Sequence, residues 1–112
     1  MCPPSGTILH TSLRDFTPAV VLRCDNVVDD GDHVCRANTS LHLTEQRQAG
    51  RDFIRCSLAD VTSGRVSARP HPQRTTLFSP FGLGILDLAV SQWVLRQAIS
   101  QGLGTVVENF LP

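Results

Sequence analysis

Apolar and polar positions change rhythm along this chain, from short β-branched runs to longer stretches with a helical repeat. Thr7-Ile8-Leu9-His10-Thr11 is a brief β-branched and apolar run and predicts a strand. Thr17-Pro18 sets an N-cap residue before a proline at the first helical position, predicting a short helix through Leu22. Asn26-Val27-Val28 predicts a second strand, closed by Asp29-Asp30-Gly31. From Asp32 to Gln48, the residues Val34, Ala37, Leu41 and Leu43 suggest one helix, capped by Asp30 or Asp32. Asn38, Thr39 and Ser40 would sit in its middle, where each is a weak helix former. Ile54 to Val61 suggests another short helix, stopped near Ser63-Gly64. A loop with two prolines follows, and Thr75 to Phe78 predicts a third strand. Leu83 to Gln101 predicts the longest helix, with Ile85, Leu86, Ala89, Val90, Trp93 and Val94 facing a core and Gly102 at the C-cap. Thr105 to Phe110 fits a further strand, and Met1 to Gly6 reads as a loose lead-in.

Strands alternating with helices imply an α/β fold with a parallel sheet of three or four strands. A sheet so small has at least one naked edge, which invites pairing with another element. Ligands of open parallel sheets bind at the carboxyl ends of the strands. The first strand delivers Ser12, Arg14 and Asp15 to that edge, and the second delivers Asp29 and Asp30. The third delivers Ser79, Pro80, Phe81 and Gly82, just before the start of the long helix. Asp15 is the best candidate for acid–base chemistry, since a carboxylate partly buried beside a cofactor can exchange a proton near neutral pH. Pairing with Arg14, or capping the helix near Thr17, would account for it equally simply. Asp29 and Asp30 suit either a cation, a ribose hydroxyl or a helix cap. Gly82-Leu83-Gly84 allows close backbone approach to a ligand, or tight packing of helix on strand. His10, inside a strand, reads as a satisfied core histidine.

Composition narrows the field. The 112 residues permit one small domain, and a formal net charge of +0 gives nothing that attracts nucleic acid or a membrane surface. All 10 basic residues are Arg, which excludes a Schiff-base lysine, a P-loop lysine and a lysine general base. Cys2, Cys24, Cys35 and Cys56 form no zinc-like spacing with the histidines and are expected to be buried or incidental thiols. No apolar run is long enough to span a membrane, no leader sequence is evident, and the cytoplasm is the expected compartment.

Leu77-Phe78-Ser79-Pro80-Phe81-Gly82-Leu83-Gly84-Ile85-Leu86-Asp87-Leu88-Ala89, followed by Gln101-Gly102-Leu103-Gly104-Thr105, resembles the C-terminal signature of the ornithine cyclodeaminase/mu-crystallin family. Three further stretches, His10 to Asp15, Asp32 to Ala37 and Arg51 to Cys56, resemble its branch of 2,3-diaminopropionate-biosynthesis dehydrogenases. Those enzymes oxidise N-(2-amino-2-carboxyethyl)-L-glutamate with NAD, and hydrolysis of the imine gives 2,3-diaminopropionate and 2-oxoglutarate, which serves siderophore or peptide-antibiotic synthesis. The resemblance implies that residues 1–102 are the second half of a Rossmann-like NAD-binding domain. Residues 103–112 would be the tail that returns to a substrate and dimerisation domain. By the same resemblance Asp15 handles the substrate proton, while Ser12, Arg14, Pro80, Phe81 and Gly82 border the nicotinamide. The family's dinucleotide fingerprint is absent, so the chain alone is expected to bind NAD weakly or not at all. A homodimer, or association with a missing N-terminal half, is the expected assembly. Phe16-Thr17-Pro18 replaces the turn that follows the Asp in ornithine cyclodeaminases, which points away from ornithine as substrate. The rival readings are a truncated, non-catalytic binding or oligomerisation module of the same fold, and a plain ornithine cyclodeaminase.

Overall fold

A computed structural model describes residues 5–110, so Cys2 and most of the lead-in lie outside the described residues. The chain divides into two units, with the boundary between Gly82 and Leu83. The first unit is a four-stranded sheet with four short helices. Its elements run β1 (Thr7–Leu9), α1 (Pro18–Val21), β2 (Asp25–Val28), α2 (Gly31–Val34), α3 (Ser40–Gln48), β3 (Ile54–Ser57), α4 (Leu58–Thr62) and β4 (Thr76–Ser79). Every pairing is parallel and the spatial order is β1-β4-β2-β3. The α/β class with a parallel sheet is therefore as the alternation of elements required.

Val21, Val28, Val34, Leu41 and Leu77 form the centre of the core, joined by Leu13, Cys24 and Cys35. The last strand of the unit lies inside the sheet, so Leu77 packs from a central position and is fully buried. One polar residue also belongs to this interior. Asn26 donates its side-chain amide to the carbonyls of Val21 (2.8 Å), Cys24 (3.1 Å) and Phe53 (3.2 Å). It thereby ties the end of α1 to the approach of β3.

Four sequence expectations need correction. The single helix expected over 32–48 is two helices, α2 and α3. Between them Ala37 and Asn38 take left-handed backbone angles, φ 53° and 55°. Thr39 then caps α3 by accepting the His42 N–H at 3.0 Å, and its hydroxyl donates to the Val34 carbonyl. The weak helix formers are thus the break and the cap, because local capping chemistry overrides a loose apolar repeat.

The helix expected from Ile54 is a strand followed by a helix. Residues 54–57 pair with β2, and Ser57 opens α4 through a reciprocal capping box with Asp60. The run from Thr105 to Phe110 forms no strand.

The second unit contains α5 (Gly84–Gln101). It ends at Gly102, whose φ of 64° suits the expected C-cap. The apolar stripe assigned to it was expected to be buried, yet no residue of α5 is buried. Ile85, Leu88, Val90, Trp93 and Ile99 are all more than half exposed. Apolar side chains occur all round this helix, a pattern that suits enclosure on several sides.

Candidate functional site

Parallel pairing in the order β1-β4-β2 brings three strand ends side by side, and these are the ends named from the sequence. β1 runs out through His10, whose backbone N–H still bonds to the Phe78 carbonyl at 2.8 Å. The His10 ring is buried, 1% exposed, and stands against Phe16 with centroids 4.8 Å apart. Nδ1 lies 3.0 Å from the Ser79 hydroxyl at the end of β4. Nε2 accepts the backbone N–H of Asp15 at 3.4 Å, a long hydrogen bond. Burial pushes the His10 pKa below its usual value, with the Asp15 charge acting in the opposite sense.

Asp15 itself is exposed, and its carboxylate accepts the Ser12 hydroxyl. Neither simple alternative for this residue describes what is seen. Arg14 turns away and donates to the Ala37 carbonyl at 2.9 Å, and Thr17 occupies the N-cap of α1. Ser12, Asp15 and Ser79 are therefore drawn to one locality through His10, whereas Arg14 braces the break between α2 and α3.

The two aspartates after β2 divide their roles. Asp30 caps α2, accepting the His33 N–H at 2.9 Å. Asp29 instead reaches across to the segment after β4. Its two oxygens accept the N–H groups of Phe81 (3.0 Å) and Gly82 (2.7 Å). The Pro80-Phe81-Gly82 backbone is thus held by a carboxylate from the neighbouring strand. Gly82 has φ +97°, with open space where a Cβ would stand. A side chain there would be strained, and its absence leaves the backbone accessible from that side. Phe81 presents a ring that is 37% exposed.

The residues after β1 and β4 can flank a flat aromatic ring. Backbone around Gly82 admits close approach, and Phe81 supplies an apolar wall. They suit the nicotinamide end of a dinucleotide. A pyrophosphate needs a different cradle, and the chain contains no G-x-G-x-x-G. Among the described residues no group of three or more His, Cys, Asp or Glu is placed to hold a metal ion.

A cavity of about 580 Å³ opens at the opposite, amino-terminal edge of the sheet, lined in part by Asp25, Arg55, His71 and Arg74. Its cationic groups have structural partners. Arg55 pairs with buried Asp25 at 2.6 Å and also donates to the Ser67 carbonyl. Arg74 donates to the Cys24 carbonyl at 2.9 Å. This cavity lies away from the strand ends that carry the candidate chemistry.

His10 is the buried, hydrogen-bonded histidine expected from its place in the sequence, but its link to Ser79 was not expected. No local signal shows the link, because it depends on β1 and β4 being neighbours although 69 residues separate the two side chains.

No protein-family model matches the chain. It is 23% identical over 105 residues to N-((2S)-2-amino-2-carboxyethyl)-L-glutamate dehydrogenase of Staphylococcus aureus, covering 92% of this chain and 31% of that protein. Among solved structures, CmnK superposes with a TM-score of 0.79 and 29% identity, over 98% of this chain and 34% of the other. The Thermococcus litoralis Delta(1)-pyrroline-2-carboxylate reductase, solved with NADH and L-proline, gives a TM-score of 0.75 at 24% identity, over 84% of this chain and 29% of the other. Relatives and structural neighbours are enzymes of the ornithine cyclodeaminase and pyrroline-carboxylate reductase type, and the shared fold is that of dinucleotide-binding dehydrogenases. The chain spans about a third of the length of the Staphylococcus aureus dehydrogenase and of CmnK.

Proposed function

We propose that this chain is the C-terminal part of an NAD-dependent amino-acid dehydrogenase whose substrate is N-(2-amino-2-carboxyethyl)-L-glutamate. The observation that carries this reading is the convergence of the β1, β4 and β2 ends, which assembles Ser12, Asp15 and the Pro80-Phe81-Gly82 backbone at one edge. The similarity to the Staphylococcus aureus dehydrogenase over 92% of the chain supports the substrate class.

NAD supplies the hydride acceptor in such a reaction. This chain's residues would supply the proton transfer and part of the nicotinamide surround. Asp15, exposed and oriented by Ser12, takes the proton released from the substrate amine and later serves the water that hydrolyses the imine. Phe81 and the Gly82 backbone would border the nicotinamide and limit water at its face. Ser12 and Arg14 would border the same ring, Arg14 while bracing the Ala37 turn. Residues 1–102 would complete a Rossmann-like domain begun elsewhere, with 103–112 returning to a substrate domain. The exposed apolar residues of α5 favour association with that missing part, or with a second copy.

The test is NADH formation by this chain with NAD and N-(2-amino-2-carboxyethyl)-L-glutamate, alongside Asp15→Asn. Turnover that falls by about 100-fold in the variant supports the reading. Folded protein without turnover, even when a dinucleotide-binding half and a substrate domain from a relative are supplied, sinks it. That outcome favours the second reading, a non-catalytic association module, for which the exposed apolar face of α5 is the supporting observation.

A further inference from the structure

Resting on the reading of Asp15 as the acid–base group, we infer that His10 is its positioning residue, acting as a neutral imidazole of one fixed tautomer. The Asp15 backbone N–H can only donate, and it faces His10 Nε2 at 3.4 Å. Nε2 therefore carries the lone pair and the ring proton sits on Nδ1. Nδ1–H then donates to Ser79 Oγ, 3.0 Å away. The other neutral tautomer and the imidazolium would each set an N–H against the Asp15 N–H.

The surroundings hold this state. The ring is buried, tilted against Phe16, and anchored by the His10 backbone bond to Phe78. Ser79 on β4 and Phe16 on the β1–α1 connection are uncharged, so Asp15 is the charge acting on the ring, and burial outweighs it. Asp15 is consequently held at two points. His10 accepts from its main chain and Ser12 donates to its carboxylate. The carboxylate sits at the sheet edge because β4, through Ser79, fixes the imidazole that fixes its peptide.

Two substitutions separate the two nitrogens. His10→Asn places an amide N–H near the Nδ1 position, keeping the Ser79 contact and losing the acceptor for Asp15. His10→Gln places an amide oxygen near the Nε2 position and restores that acceptor. The Asp15 amide should exchange with solvent about 10-fold faster in His10→Asn, and His10→Gln should recover most of that protection. A histidine ring 15N–1H correlation spectrum of the unaltered chain at neutral pH should show the Nδ1–H tautomer. An Nε2–H tautomer overturns the assignment, as does an Asp15 amide indifferent to both substitutions. If His10→Asn fails to fold, the spectrum of the unaltered chain and the behaviour of His10→Gln still decide. Neither readout needs turnover, so a chain that forms no NADH refutes the dehydrogenase reading without touching the His10–Asp15 link. Where turnover is measured, His10→Asn lowers kcat with little change in KM, and His10→Gln recovers it.

Discussion

Asp29, at the end of β2, uses both carboxylate oxygens to hold the backbone of Phe81 and Gly82 beyond the end of β4. A backbone segment that borders the candidate site is thus positioned by a side chain 52 and 53 residues away. Asp29→Asn removes one acceptor oxygen and introduces N–H groups facing N–H groups. The amides of Phe81 and Gly82 should lose exchange protection, with a stability cost of about 1–3 kcal/mol. Amide exchange by NMR, together with a urea melt, checks both. Unchanged protection at Gly82 would show that Asp29 does not set this segment.

At the other end of β2, buried Asp25 depends on Arg55, whose guanidinium is 2.6 Å away. Asp25 is 4% exposed. Arg55→Ala strands a carboxylate in the interior and should cost about 3–5 kcal/mol. The double variant Asp25→Asn, Arg55→Met should be milder than Arg55→Ala alone, because no charge is left behind. Urea denaturation of the three proteins tests this order.

The break between α2 and α3 leads to opposite outcomes at neighbouring positions. Ala37 has φ 53°, where a Cβ is unfavourable. Ala37→Gly should therefore stabilise the chain by about 0.5–1 kcal/mol. Thr39→Ala removes the α3 cap and should destabilise it by about 1 kcal/mol. Thermal melts of the two variants, run side by side, should shift in opposite directions.

The capping box of α4 should contribute a pH-dependent share of stability on the acid side. Hydrogen bonds from Ser57, and then the Arg65 contact, lower the Asp60 carboxyl to about 2. A folded-state value below the unfolded one adds stability that is complete above about pH 4 and is lost as pH falls through about 2. A titration followed by Asp60 side-chain shifts should show a midpoint near 2, and Ser57→Ala should raise it. A midpoint near 4 in the unaltered chain would rule out the capping box as drawn.

Buried thiols should be inert. Burial, and then the neighbouring Glu45 charge, pushes the Cys35 thiol up to about 11. At pH 7.5 the thiolate fraction is then about three orders of magnitude below one half. Native Cys35 should resist iodoacetamide over a time in which the urea-unfolded chain is fully alkylated, as mass spectrometry would show.

The parts of the fold that were legible in the sequence are those fixed by local chemistry. Thr17-Pro18 announced α1, Gly102 announced the end of α5, and the β-branched runs announced β1, β2 and β4. The errors arose where two signals competed. Asn38-Thr39-Ser40 was placed inside a helix because of a sparse apolar repeat, although the same residues are strong capping material. The segment from Ile54 mixed strand and helix within eight residues, and only the Ser57–Asp60 spacing marked the change. The site was legible as a set of strand ends. Its internal wiring was not, because the His10–Ser79 and Asp29–Gly82 contacts exist only once β4 is known to lie between β1 and β2.

That insertion of β4 also governs how the chain can acquire its structure during synthesis. Among the described residues β1 pairs with β4, whereas β2 pairs with β3 and β4. A ribosome that has released the chain only as far as β3 has made the β2–β3 pair with one side open, and β1 still without its described neighbour β4. Neither can mature until residues 76–79 arrive to fill the gap between them. The edges that β1 and β2 turn toward β4 therefore stay unpaired while the stretch between β2 and β4 is made, a state prone to wrong pairing. A stop codon anywhere before Thr76 would remove the central strand that joins the two sides of the sheet, and with it the framework on which Asp15 is placed.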